Sequence, residues 1–108
     1  MDIGIYEIDL DTCTFLNVSP IMCQGLGYDD KELIGHPVSK VLTPESMKHF
    51  MSRLARMQEG EMLDGQVQYN VKCKDGAMLG VEIEAFYKIE NGRARAAIVA
   101  AKEVYRNG

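Results

Sequence analysis

Between residues 66 and 101 the chain carries a pattern that few folds can use: apolar side chains at alternate positions, interrupted twice by two-residue turn signals. Val67, Tyr69, Val71 and Cys73 alternate with Gln66, Gln68, Asn70 and Lys72. Successive strand side chains point to opposite faces, so this run is a strand with one buried face and one wet face. Asp75-Gly76 marks a turn, and Leu79, Val81, Ile83, Ala85, Tyr87 and Ile89 then share one face of a second strand. Asn91-Gly92 is the dipeptide that best accepts the left-handed φ values of a tight hairpin, and it leads into a small, apolar third strand from Ala94 to Ala101. Strands joined by such short turns run antiparallel, because a parallel pair needs a long crossover. A sheet with one apolar face also needs a layer to cover it.

The first 60 residues supply that layer. Gly4 to Leu10 is β-rich, Asp11-Thr12 turns the chain, and Thr14 to Val18 returns as a short strand. Ser19-Pro20 is a helix start, with a hydroxyl to cap and a proline where no amide donor is needed; the helix Ile21 to Leu26 stops at Gly27. In LGYDDKELIG, residues 26 to 35, Asp29 or Asp30 caps a second short helix that Gly35 ends. The two glycines therefore read as changes of chain direction rather than as a phosphate cradle. Thr43-Pro44 opens a long helix over 44–59, with Glu45 favouring its positive end and Gly60 closing it. Met47, Phe50, Met51, Leu54 and Met57 fall on one face of it, and Arg53 and Arg56 lie off that stripe. The expected architecture is α+β: two short and three long strands in one antiparallel sheet, helices and core on one face.

Totals narrow the function. A chain of 108 residues is one domain, 1–108. Sixteen acidic against twelve basic side chains give a net charge of −4 with no basic run, which disfavours contact with a nucleic-acid backbone. Cys13, Cys23 and Cys73 form no Cys-x-x-Cys pair and are odd in number, so neither a disulfide framework nor a sulfur-rich zinc site is expected, and a reducing compartment is preferred. No apolar run approaches the roughly 20 residues of a membrane span, and acids stand where a signal peptide would carry bases. A cytoplasmic domain is expected, and the Asn107-Gly108 end suggests a piece of a larger protein, itself soluble or membrane-anchored.

Phe15-Leu16-Asn17-Val18-Ser19-Pro20, Leu26-Gly27-Tyr28, Glu32-Leu33-Ile34-Gly35, Thr43-Pro44-Glu45, Gly60-Glu61, Lys74-Asp75-Gly76 and Asn91-Gly92 occur in the order and spacing that resemble the PAS sensor domain family. The resemblance spans about residues 4 to 103. It implies a five-stranded antiparallel sheet in the order 2-1-5-4-3, short helices and one longer helix over one face, and a central cavity between them. It also implies a bacterial signalling parent such as a histidine kinase, diguanylate cyclase, chemoreceptor or transcriptional regulator, with this domain sensing a ligand or dimerising. Two positions depart from the common pattern: Leu79 stands where many relatives carry an aromatic residue, and Ala101-Lys102-Glu103-Val104 replaces the usual acidic and threonine lock on the exit linker.

Some family members hold haem through a long-helix histidine, but His49 lies about 140° from the centre of the apolar stripe at 100° per residue, and His36 is in a turn beside Pro37. The flavin-binding Asn-Cys-Arg-Phe-Leu-Gln motif is replaced by Met47-Lys48-His49-Phe50-Met51-Ser52. Haem and covalently reacting flavin are accordingly disfavoured, and no cofactor or a small metabolite is expected. The cysteines read as small hydrophobes or free thiols. Asp29, Asp30 and Glu32 read as capping and surface charges, and Ser19 and Ser46 as helix-start residues, so no catalytic or metal-binding residue is assigned. The pocket candidates are Tyr69, Tyr87, Met51 and Leu54, with Asn70 on the opposite face from Tyr69. The expected role is a sensory module, paired as a homodimer and relaying ligand or partner state to an output domain in the same parent chain. The alternative is a ligand-free dimerisation or protein-interaction module.

Overall fold

Residues 2–107 are described by the computed structural model, so Met1 and the last residue of the Asn107-Gly108 end lie outside the described residues. The chain runs β1 (Asp2–Asp9), β2 (Thr14–Val18), α1 (Pro20–Leu26), α2 (Asp30–Leu33), a single 3₁₀ turn (Val38–Lys40), α3 (Pro44–Gln58), β3 (Gln66–Lys72), β4 (Met78–Glu90) and β5 (Arg93–Asn107). The strands form one antiparallel sheet in the order β2-β1-β5-β4-β3, which places the first and last strands side by side in its middle.

Local chemistry sets the corners. The Ser19 hydroxyl accepts from the Met22 N–H at 3.4 Å and the Thr43 hydroxyl from the Ser46 N–H at 3.3 Å, each with proline opening the helix behind it. Asp29 precedes α2 and its N–H donates to the Glu32 carboxylate at 3.0 Å. The same carboxylate takes Lys74 Nζ at 2.9 Å, so this short helix is tied to the β3–β4 turn. Gly27 at φ 84° and Gly35 at φ 82° make the two reversals. LGYDDKELIG is therefore a structural corner. Asn91 and Gly92, at φ 53° and 76°, form the β4–β5 turn with the geometry that their types favour.

The core lies between the helices and the inner face of the sheet. Leu26, Leu33, Leu79 and Val99 are its most completely buried large side chains. Three sequence expectations need correction. Met51 is 45% exposed, whereas Arg53 is partly buried and faces inward. At 100° per residue Arg53 lies about 60° from Phe50 and Met51 about 100°, so a helix centred on Phe50 over the sheet draws in the arginine stem and leaves the methionine out. Ile89 is 59% exposed, because the β4–β5 register shifts between Lys88 and Ile89 and breaks the alternation there. β5 continues past Ala101 to Asn107, pairing with Met78–Gly80 beyond a second register shift at Gly80/Val81.

Candidate functional site

The inner face of β5 is floored by small residues, Ala97, Val99 and Ala101, and Ala85 lies opposite Val99 on β4. Larger side chains rise around that floor from β1, β3, β4 and the helices, and the layer above does not fill the space. A cavity of about 60 Å³ remains. Its walls are apolar except at four residues that carry a polar group: Tyr6 on β1, Arg53 on α3, Tyr69 on β3 and Tyr87 on β4.

Strand register gathers the three tyrosines and α3 brings Arg53 to them. Tyr6 pairs with Val99 and Tyr87 with Ala97, two residues apart on β5 and on the same face of the sheet. Phe15 packs edge-on against Tyr6, with ring centres 5.8 Å apart, and holds it inward. Tyr69 pairs with Val81 and is 5% exposed. Arg53 descends from α3, its guanidinium donating to the Asp64 carbonyl. Burial pushes the Tyr69 phenol up to about 12, with the nearby Arg53 cation pulling the other way. Burial also raises the Tyr6 phenol, and the Tyr69 and Tyr87 phenols oppose its ionisation further. Tyr6 and Tyr69 therefore stay neutral at physiological pH. The Tyr105 hydroxyl donates to the Asn70 side chain and Tyr69 is hydrogen-bonded to Arg53, while among the described residues the hydroxyls of Tyr6 and Tyr87 have no side-chain partner.

Of the four residues nominated from sequence, Tyr69 and Tyr87 line the cavity. Leu54 is 6% exposed and belongs to the core but not to the cavity wall, and Met51 points outward. Sequence reasoning missed Tyr6 and Arg53. Tyr6, Ile8 and Leu10 alternate in the way an inward face requires, a signal hidden by the equally apolar outer Ile5. A single arginine beside an apolar helix stripe carries no comparable signal.

The remaining candidates have structural places. His49 is exposed and packs its ring edge on Tyr69, with centres 5.5 Å apart, from outside the cavity. His36 is exposed, and its carbonyl accepts from the Phe15 N–H at 3.0 Å. Burial raises the thiols of Cys13, Cys23 and Cys73, which opposes thiolate formation. Among the described residues no group of three or more His, Cys, Asp or Glu is placed to hold a metal, and no helix is long and apolar enough to cross a membrane. Ser46 is buried and its hydroxyl accepts from the Asn70 N–H at 2.8 Å, while the Thr43 N–H donates to the Asn70 carbonyl at 3.0 Å. The Asn70 side-chain oxygen takes the Tyr105 hydroxyl. Asn70 thus links the start of α3 to the far end of β5, between two cavity-lining neighbours, Tyr69 and Val71.

No family model matches the sequence, and neither does any curated protein. Solved structures match it over nearly its whole length. The PAS domain of an HTR-like protein from Haloarcula marismortui superposes with a TM-score of 0.73 at 19% identity, covering 95% of this chain and 81% of that one. A domain of a sensory box sensor histidine kinase/response regulator from Geobacter sulfurreducens gives 0.71 at 25% identity, with coverage of 94% and 82%. The PAS domain of a Desulfitobacterium hafniense protein gives 0.74 at 15% identity, with coverage of 94% and 92%. With the strand order β2-β1-β5-β4-β3 and the helices on one face, the chain has the PAS fold.

Proposed function

We propose that this domain is the sensory module of a bacterial signal-transduction protein such as a sensor histidine kinase, taking a small metabolite in its cavity and relaying occupancy to an output domain. The observation that carries this reading is the cluster of Tyr6, Arg53, Tyr69 and Tyr87 facing an otherwise apolar cavity. The Tyr6 and Tyr87 hydroxyls line the cavity without a side-chain partner, so a ligand that enters completes their hydrogen bonding. At about 60 Å³ the cavity is far below the roughly 300–1,000 Å³ typical of drug-sized ligands, which favours a compact metabolite over haem or flavin. Asn70 supplies a route outward: a shift of β3 around Tyr69 moves the strand position that holds both the α3 start and Tyr105 on the exit strand.

The test is native mass spectrometry of freshly purified protein, followed by thermal denaturation against a metabolite panel. Stoichiometric small molecule, or a compound that raises the midpoint in proportion to its saturation, supports sensing. Equal output from a parent protein with residues 4–103 present and cleanly removed contradicts it.

A second reading, a ligand-free dimerisation module, is favoured by the outer face of the sheet. Phe86 and Ile98 are adjacent in register and 62% and 53% exposed, with Ile5 at 57% nearby on β1. Phe86→Lys lowers the sedimentation mass of a dimer built on that face and leaves a monomer unaffected.

A further inference from the structure

The cavity's chemistry narrows the class of ligand. Arg53 is the only charged side chain in its lining, and among the described residues no carboxylate lies within ion-pair distance of it. The Asp64 carbonyl occupies part of its donor fork and supplies no negative charge. A cation at the edge of an apolar cavity, without a counter-charge, attracts an anion that enters, and the low polarity of the interior strengthens that attraction. The Tyr6 and Tyr69 phenols, held neutral by burial, and the Tyr87 hydroxyl add hydrogen-bonding groups without negative charge to match Arg53. We propose that the cavity binds a two- or three-carbon monocarboxylate, held at its carboxylate by Arg53 and the Tyr6, Tyr69 and Tyr87 hydroxyls and at its alkyl end by the aliphatic wall; this assignment rests on the sensing role above.

Each alternative leaves something unpaired. A cationic ligand meets Arg53 with like charge, and a neutral one leaves the guanidinium without its counter-ion. A dicarboxylate would place its second charge among Ile8, Leu10, Val81, Ile83 and Val99. The guanidinium fork matches the planar, two-oxygen acceptor of a carboxylate, which a spherical halide does not offer. Size agrees with this class. A volume of about 60 Å³ holds roughly four water-sized groups, which is acetate's four heavy atoms. Met22 and Met57 in the wall are flexible enough to admit one carbon more. Arg53 keeps partial exposure at the cavity's edge, so the group that binds the anion also meets it on entry.

The experiment is an amide ¹H–¹⁵N NMR titration of the domain with sodium propionate at constant ionic strength, with propionamide, succinate and sodium chloride run in parallel. Propionate is expected to give saturable shifts at and around residues 6, 53, 69 and 87. Arg53→Met, which keeps the apolar stem, weakens binding about tenfold or more, and Tyr69→Phe, which keeps the ring, by about three- to tenfold. Propionamide binds at least about tenfold more weakly, and succinate and chloride do not saturate the same amides. Absence of saturable shifts with about 20 mM propionate, a concentration that reveals even millimolar binding, overturns the proposal. So does equal binding of propionamide, or an Arg53→Met variant with unchanged affinity. A neutral or cationic compound that saturates these amides while propionate does not overturns the carboxylate assignment and leaves the sensing role standing. If no compound of any charge class reaches the cavity, both fall.

Discussion

The two faces of the sheet are made by the same strands and have opposite jobs. In β4, Leu79, Val81, Ile83 and Ala85 point inward and are buried, and the intervening Glu82, Glu84 and Phe86 point outward. The inner face ends in a cavity that gathers four polar residues; the outer face leaves Phe86 and Ile98 side by side in water. Hydrophobicity alone does not distinguish a core residue from a surface one here. Helices cover one face, so apolar residues there hold the fold, while apolar residues on the other contribute little to folding and remain available to a partner.

The largest effect that can break this comparison is on stability. Leu79→Ala is expected to cost about 2–5 kcal/mol in urea denaturation, whereas Phe86→Ser costs below about 0.5 kcal/mol. Equal costs would mean that the outer face is also packed. Ser46→Ala tests the seam where α3 meets β3. Removing the hydroxyl strands the Asn70 N–H that it accepts at 2.8 Å, for an expected loss of about 1–3 kcal/mol. Gly80→Ala tests the outer face itself. A Cβ there would come within 1.9 Å of the Tyr105 ring, which lies over Gly80 on its way to Asn70. Because Tyr105 is 40% exposed and can swing away, the cost is about 1 kcal/mol, and it disappears when Tyr105→Ala is made as well. A penalty that persists in the double variant contradicts this contact.

The pH response sharpens the contrast further without a change of sequence. The folded pKa of Tyr69, about 12, lies above the ordinary value near 10, so the neutral phenol's stabilising effect is complete below about pH 10 and is lost as pH rises towards 12. Absorbance at alkaline pH should show Tyr6 and Tyr69 ionising last and together with unfolding. Normal ionisation of every tyrosine in the folded protein would place the cluster in solvent.

Much of this was legible in short-range signals. Ser19-Pro20, Thr43-Pro44 and Asn91-Gly92 act on their own backbone, so their structural meaning does not wait on the tertiary fold. The alternation over Val67 to Ala85 was equally readable, and the order 2-1-5-4-3 followed from family resemblance rather than from pattern. What escaped was decided by distant partners. Whether Met51 or Arg53 faces inward depends on where the sheet meets α3, a few tens of degrees that an apolar stripe does not resolve. The loss of Ile89 from the inner face needs a register shift, and the extension of β5 to Asn107 needs Met78–Gly80 to pair with. Half of the polar cluster, Tyr69 and Tyr87, came from alternation; Tyr6 and Arg53 came only from three dimensions.

The most direct test of the central claim, that the polar cluster on the inner face is a shared ligand-reading site, is NMR of protein labelled with ¹³C at the tyrosine Cζ. On saturation with a compound that stabilises the domain, the Cζ signals of Tyr6, Tyr69 and Tyr87 should move together, with Tyr28 at the corner unmoved. A stabilising compound that saturates while leaving all three cavity tyrosines unshifted would contradict the account.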